Sequence, residues 1–154
     1  MYTGIIGPGD GASEAECATA YEVGRLLAQA GAVVVTGGLD GVMAAASRGA
    51  FEHGGVTVGL LPGSVREAAN PYLTVSIPTG LGELRNGLLV RSCDGLIAVG
   101  GSWGTASEIA LACRTGVPVF SIGGWRFPQD GPVHVDSAEE AVRRLLALKP
   151  RRRG

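Results

Sequence analysis

Residues 96–116 read LIAVGGSWGTASEIALACRTG, and they contain a predicted strand, a glycine-rich loop and a predicted helix in that order. The strand, Leu96–Val99, is apolar on both faces, which is typical of a parallel strand covered by helices on each side. The helix, at about Thr105–Arg114, is rich in Ala, Ile and Leu and is stopped by Gly116. This stretch therefore predicts a βα unit of an α/β fold, with glycines placed where the strand ends.

Strands and helices alternate in the same way along the rest of the chain. The other predicted strands are short and apolar: Tyr2–Ile6, Ala32–Thr36, Thr57–Leu61, Leu73–Ile77 and Val117–Ile122. The other predicted helices are longer and run from about Ser13 to Ala30, Gly41 to His53, Leu81 to Cys93 and Ser137 to Leu148. Short loops between alternating elements predict an α/β fold: a doubly wound, mostly parallel Rossmann-like sheet of six to seven strands with helices on both faces.

Length and composition are those of one globular domain. The chain has 154 residues, of which 45% are hydrophobic and 18% are charged, and its net charge is −1. These values argue against disorder and against a basic surface for nucleic acid. We therefore predict a single domain over residues 1–148, followed by a basic, disordered tail at residues 149–154.

The cysteines and the apolar segments indicate in which cellular compartment the protein is expected. Cys17, Cys93 and Cys113 lie in predicted helices, at spacings unlike those of a metal site. No charged and apolar leader precedes the first strand, and no apolar run is long enough to span a bilayer. We therefore expect a cytoplasmic protein with free thiols, no metal site and no membrane partner.

The glycines collect where strands lead into helices. They follow the first, second and fifth predicted strands, as Gly7, Gly9 and Gly11, as Gly37, Gly38 and Gly41, and as Gly100, Gly101 and Gly104. Right-handed crossovers place all strand-to-helix loops on one edge of the sheet, and ligands of open α/β sheets bind outside that edge. The sequence therefore predicts three loops of bare backbone around one ligand cleft.

The loop at residues 100–105 is the strongest candidate for an anion site. It leads from a buried strand into the first turn of a helix, where backbone amides lack partners and the helix dipole favours negative charge. Ser102 and Thr105 add hydroxyl groups to this loop. A phosphate group fits such a site without a lysine.

A second interpretation of the same segment needs no ligand. Thr105 and Glu108 have the spacing of a capping box, in which two residues satisfy the first amides of a helix. The pairs Ser13–Glu16 and Ser137–Glu140 have the same spacing, with no glycine loop before either. The glycines, rather than the Thr–Glu pair, therefore distinguish this loop.

The first glycine loop, residues 7–12 (GPGDGA), fits the G-x-G-x-x-A form of a dinucleotide-binding fingerprint. No acidic residue follows at the ribose-binding position, because the second strand ends in Thr36, and Pro8 lacks an amide donor. We therefore expect no nicotinamide or flavin cofactor, and we interpret Gly7 as part of a tight turn that lets another group approach.

Two of the loops together resemble a known superfamily. The segment 37–43 (GGLDGVM) and the segment 100–108 (GGSWGTASE) are similar to the paired motifs of the LOG-like superfamily, once misannotated as lysine decarboxylases. The resemblance extends from Ile5 to about Ile122. The superfamily includes nucleoside 5′-monophosphate phosphoribohydrolases and molybdenum-cofactor carrier proteins, and this chain is nearest the carrier-like subgroup.

The hydrolase pattern of the superfamily implies candidate catalytic residues. Its arginine, its glycine–threonine pair and its glutamate correspond, in order, to Arg85, Gly104, Thr105 and Glu108. Three positions depart from the pattern: Asn86 replaces a lysine, Gly100 a proline and Ser102 a glycine. The carrier-like subgroup tolerates such loops.

The resemblance implies two alternative functions. A carrier would bind a nucleoside monophosphate or a pterin phosphate such as the molybdenum cofactor and break no bond. A phosphoribohydrolase would place Arg85 and Glu108 at the ribose and release free base and ribose 5-phosphate. Neither function requires a further cofactor. The predicted ligand-binding residues are the same in both cases: Gly7, Gly37, Gly38, Gly41, Met43, Asn86, Gly100, Gly101, Ser102, Trp103, Gly104 and Thr105.

The resemblance also implies a homodimer or homotetramer that buries the outer faces of the helices at 81–93 and 105–114, although those faces could equally pack within one subunit. Trp103, in the predicted phosphate loop, could stack on a ligand ring or shield the cleft. The DNA-processing protein A family has a related fold, but without a basic face we expect no nucleic-acid partner.

Overall fold

The computed structural model describes residues 1–149 of the chain, so the predicted basic tail lies outside the described residues except for Lys149. Seven strands are present: β1 (Tyr2–Ile6), β2 (Val33–Thr36), β3 (Thr57–Leu61), β4 (Val75–Pro78), β5 (Gly95–Val99), β6 (Val119–Ile122) and β7 (Val133–Val135). The α-helices are α1 (Glu14–Gln29), α2 (Val42–Glu52), α3 (Arg85–Ser92), α4 (Trp103–Thr115) and α5 (Ala138–Leu146).

The strands form one parallel sheet in the order β4-β3-β2-β1-β5-β6-β7. The first four strands therefore lie on one side of the sheet and the last three on the other. The chain changes direction between β1 and β5, which are hydrogen-bonded neighbours. In doubly wound sheets the loops at such a switch point diverge and leave a crevice. The predicted fold class is confirmed.

Helices cover both faces of the sheet, and alternate strand residues face each of them. Ile5 and Ile97 belong to the apolar core beneath α1, α2 and α5, whereas Ile6 and Leu96 belong to the core beneath α3 and α4. All four side chains are almost completely buried. The two apolar layers explain why these strands have no polar face.

Most predicted boundaries lie within two residues of those observed, and the larger differences have local causes. The helix predicted over Leu81–Cys93 is divided into a 3₁₀ turn at Gly82–Leu84 and α3, because Gly82 has a φ of +56°, outside the helical range. The sequence pattern does not predict the last strand, β7, because only three residues form it. The predicted strand Leu73–Ile77 begins later, at Val75.

The pairing of α1 with α2 is very close, and small residues permit it. A Cβ added to Gly24 would overlap the carbonyl of Ala46, and one added to Gly49 would overlap the carbonyl of Tyr21. This contact fixes α2 against α1, and it therefore also helps to position the glycine loop that precedes α2.

Candidate functional site

A cavity of about 310 Å³ opens at the carboxyl edge of the sheet, beside the switch point. The loops after β1, β3 and β5 line it, together with the turn before α3 and residues of α2, α3 and α4. The lining residues are Gly7, Gly9, Met43, Pro62, Gly82, Glu83, Arg85, Asn86, Ser102, Gly104, Thr105 and Glu108. Eight of the fourteen sequence-predicted site residues therefore meet at one cavity.

Arg85 and Glu108 form a buried pair of opposite charges on the cavity wall. Their side chains are only 9% and 8% exposed, and Nη1 of Arg85 lies 3.9 Å from Oε1 of Glu108. This separation is too long for a hydrogen bond. Among residues 1–149, the structure gives Nε of Arg85 no hydrogen-bond partner. The guanidinium is therefore a buried cation with unused donor capacity.

Burial changes the acidity of both groups. It raises the pKa of Glu108 to about 7, and the nearby Arg85 cation opposes this rise without cancelling it. Burial also lowers the pKa of Arg85 from its ordinary value, and Glu108 opposes that change. A carboxyl group with its pKa raised in this way can donate or accept a proton near neutral pH.

The N-terminus of α4 is capped by Ser102. Its hydroxyl accepts a hydrogen bond from the Thr105 amide at 3.2 Å and lies 2.9 Å from the Thr105 hydroxyl. Helix α4 therefore begins at Trp103, two residues before the predicted start. The interpretation of Thr105 and Glu108 as a capping box is wrong, because Glu108 lies inside the helix and faces the cavity.

The capping boxes proposed for two other helices have different outcomes. At α1 the box is complete, since Ser13 and Glu16 each accept a hydrogen bond from the other's backbone amide. At α5, Ser137 accepts from the Glu140 amide, but the Glu140 carboxylate accepts from the Asp136 amide instead of that of Ser137. The same Ser/Thr-x-x-Glu spacing therefore gives three different arrangements at the starts of α1, α4 and α5.

Several of the predicted ligand-binding glycines are close to the protein itself. A Cβ on Gly7 would overlap Val42 and the carbonyl of Val99, and one on Gly101 would lie 2.7 Å from Trp125. The other cases are similar: Gly38 faces Leu61, Gly41 faces the carbonyls of Pro8 and Gly9, and Gly100 faces Glu16. These glycines let the loops pack against one another, and Gly38, Gly41, Gly100 and Gly101 do not line the cavity.

Two other glycines bear directly on the site. A Cβ on Gly37 would overlap the guanidinium of Arg85, so the absent side chain leaves the space that Arg85 occupies. Gly104, in the first turn of α4, has only the Ser102 hydroxyl near its Cβ position, at 3.8 Å. Bare backbone at Gly104 is therefore open to the cavity.

The remaining predicted residues lie in different places. Met43 and Asn86 line the cavity, and the Asn86 side chain donates a hydrogen bond to Ser107 at 3.1 Å. Trp103 is 82% exposed and packs edge-to-face on Trp125, with 4.7 Å between ring centroids. Its ring therefore lies outside the cavity lining.

Four lining residues were absent from the predicted set: Gly9, Pro62, Gly82 and Glu83. Pro62 directly follows β3 and so lies at the carboxyl edge of the sheet. Its place in the cavity lining could therefore have been predicted from the predicted strand Thr57–Leu61. Gly82 and Glu83 belong to the short 3₁₀ turn that interrupts the predicted third helix. The apolar pattern of residues 81–93 predicts a continuous helix, and it therefore does not indicate that a turn at Gly82 and Glu83 lines the cavity.

No group of three or more His, Cys, Asp or Glu side chains within residues 1–149 could hold a metal ion. Within the same residues, Cys17, Cys93 and Cys113 form no disulfide bond. None of the described helices is both long and apolar enough to cross a membrane.

The chain is similar to proteins of known structure over almost all its length. The molybdenum cofactor binding protein of Rippkaea orientalis is 32% identical, with a TM-score of 0.89 and 95% of each chain covered. The molybdenum cofactor carrier protein of Chlamydomonas reinhardtii is 33% identical, with a TM-score of 0.84, covering 96% of this chain and 99% of that one. A protein of Archaeoglobus fulgidus is 43% identical over 122 residues, 79% of this chain and 80% of its own. The family model described as the SLOG cluster4 family matches residues 1–149, and the chain belongs to that family.

Proposed function

We propose that the protein binds a phosphate-bearing, nucleotide-like ligand in this cavity and acts as a carrier rather than as an enzyme. The observation that supports this most directly is Arg85, a buried cation that lines the cavity and whose Nε has no hydrogen-bond partner within residues 1–149. A buried charge without hydrogen bonds is costly, and an anionic ligand would satisfy it. Two similar proteins support this proposal: that of Rippkaea orientalis is a molybdenum cofactor binding protein, and that of Chlamydomonas reinhardtii is a molybdenum cofactor carrier.

The phosphate group of the ligand would bind at the start of α4. The backbone at Gly104 is open to the cavity, and the hydroxyl groups of Ser102 and Thr105 stand beside it. The dipole of a thirteen-residue helix favours an anion at this end. Arg85, at the start of α3, would then contact the phosphate or the sugar-like part of the ligand.

The size of the cavity suits a small ligand. Small-molecule sites in proteins measure roughly 300–1,000 Å³, and this one, at about 310 Å³, is near the lower limit. Its wall carries one cation and two carboxyl groups, from Arg85, Glu83 and Glu108. A nucleoside monophosphate or a pterin phosphate is of suitable size.

The binding test is thermal stabilisation by a panel of nucleoside 5′-monophosphates and pterin phosphates. We expect one ligand class to raise the Tm, and Arg85→Met to weaken its binding by about tenfold or more, since a charge-assisted hydrogen bond contributes roughly 1.5–3 kcal/mol. Arg91→Gln is the matched control, because Arg91 is an exposed arginine of the same helix. Equal binding by the Arg85 and Arg91 variants would contradict the proposed site.

A second candidate function is hydrolysis of the N-glycosidic bond of a nucleoside 5′-monophosphate. One observation favours it: the pKa of the buried Glu108 is raised to about 7, as a general acid or base requires at neutral pH. A carboxyl group beside the ribose could activate water or stabilise a developing oxocarbenium ion. Release of free base by the wild type, lost in Glu108→Gln, would support the hydrolase; binding without release would support the carrier.

We also propose a homodimer or homotetramer that pairs the outer faces of α3 and α4. Large apolar side chains are exposed along these helices and the turn before them: Leu81, Leu84, Leu88, Trp103 and Leu111. Leu84 is 79% exposed. An apolar patch of this kind on a small domain commonly marks a protein–protein contact.

A further inference from the structure

The contacts of Glu108 raise a problem for any anionic ligand. Its carboxyl group is buried on the cavity wall, and within residues 1–149 its only charged partner is Arg85, 3.9 Å away. The structure gives this carboxyl no hydrogen-bond donor within that part of the chain. An ionised Glu108 therefore pairs with Arg85, the buried cation that a phosphate group would need.

No other group facing the cavity offsets this competition. Glu83, in the turn before α3, adds a second carboxylate at the rim. The loops after β1 and β3 contribute Gly7, Gly9 and Pro62, and α2 contributes Met43. The start of α3 and the start of α4 add Asn86, Ser102, Gly104 and Thr105, and none of these residues titrates near neutral pH. With both carboxylates ionised, the lining carries a net negative charge and repels an anion.

We propose that Glu108 binds the ligand as a neutral carboxylic acid, so that loading the cavity takes up a proton and releases Arg85 to the anion. This inference rests on the proposed function, since it concerns the same ligand and the same cavity. A protonated carboxyl donates one O–H, and it would donate that hydrogen bond to an oxygen of the ligand. The buried position, where the charged form is poorly solvated, favours the neutral form. Binding is then tightest at acidic pH and weakens as the pH rises.

The size of the effect follows from proton linkage. The pKa of Glu108 is about 7 in the ligand-free protein, and a bound anion raises it further. Above the pKa of the free protein, affinity falls up to tenfold for each pH unit until the pKa of the complex is reached. We expect affinity to fall roughly tenfold between about pH 6 and about pH 8.5.

Sulfate is the probe for this experiment. It is a tetrahedral dianion throughout this pH range, whereas a phosphate monoester loses its second proton near pH 6 and would obscure the change in the protein. Sulfate affinity is measured by calorimetry at both pH values and at constant ionic strength, since screening alters any anion site. Repeating the titration in buffers of different ionisation enthalpy counts the protons taken up by the wild type.

Glu108→Gln is the decisive variant, because the amide keeps a donor and the shape of the side chain but does not titrate. We expect the wild type to take up a proton and to bind sulfate about tenfold more tightly at the lower pH, and the variant to take up none and to bind equally at both. Glu83→Gln, which removes the rim carboxylate, should retain the wild-type pH dependence whatever its affinity.

Two results have different consequences. This inference would be overturned if sulfate binding had the same pH dependence in the wild type and in Glu108→Gln. It would also be overturned if the wild type bound sulfate without taking up a proton. In both cases the proposed binding function would stand. A wild type that binds neither sulfate nor any ligand of the panel at either pH would overturn the proposed function and this inference with it.

Discussion

Replacing Glu108 by glutamine should stabilise the ligand-free protein, and the gain should depend on pH. The pKa of Glu108 rises from an ordinary value of 4.5 to about 7 on folding, chiefly because the carboxyl is buried. A group whose pKa is raised by folding favours the folded state at low pH, and this contribution is lost as the pH rises from 4.5 through 7. One unit of pKa shift corresponds to about 1.36 kcal/mol. Ionisation of Glu108 therefore lowers the free energy of unfolding by about 3 kcal/mol at pH 8 and by less than about 1 kcal/mol at pH 5.

The assay is urea unfolding of the wild type and Glu108→Gln at these two pH values, at one protein concentration and without ligand. Other carboxylates affect both proteins equally, so their contributions cancel in the comparison. Glu67→Gln is the control, because Glu67 is exposed and a surface change of this kind usually alters the free energy of unfolding by under about 0.5 kcal/mol. If Glu108→Gln and wild type differ equally at both pH values, the burial argument for Glu108 is refuted.

Three further predictions concern the loops and the outer surface. Gly37→Ala should weaken binding of the panel ligand about tenfold or more, because the new Cβ would displace the Arg85 guanidinium, and calorimetry of the folded variant would measure this. Ser102→Ala should lower the free energy of unfolding by about 0.5–2 kcal/mol, as loss of an N-cap does, and urea titration would detect it. Leu84→Glu should convert an oligomer to a folded monomer, since Leu84 is 79% exposed in the subunit and would lie in the proposed interface. Light scattering would measure the mass, and an unchanged mass would refute that interface.

The sequence alone predicted the sheet well because its signals are local and redundant. The bounds of β1 and β3 coincide with the predicted ones, and the α1 capping box was identified from Ser13 and Glu16. In each case apolar pattern, turn residues and length favour the same element. The edge strand β4 was less accurate because Val75 and Ile77 are exposed there, so burial imposes little pattern on its residues.

The site was predicted only in part, and glycine explains why. A glycine indicates that some group comes close to the backbone, but not whether that group belongs to a ligand or to the protein. Gly104 faces open space, whereas Gly41 faces the carbonyls of a neighbouring loop and Gly37 faces Arg85. These cases differ only in the three-dimensional arrangement of distant loops, and no local pattern encodes it.

The tryptophan pair has a spectroscopic consequence. Trp103 and Trp125 are the two tryptophans of the chain, and they stand edge-to-face beside the loop that leads into α4. All indole emission of the protein therefore originates next to the cavity, from one largely exposed ring and one ring resting on Gly101. Intrinsic fluorescence therefore reports, without a label, on one corner of the molecule: the loop that leads into α4 and the segment packed against it.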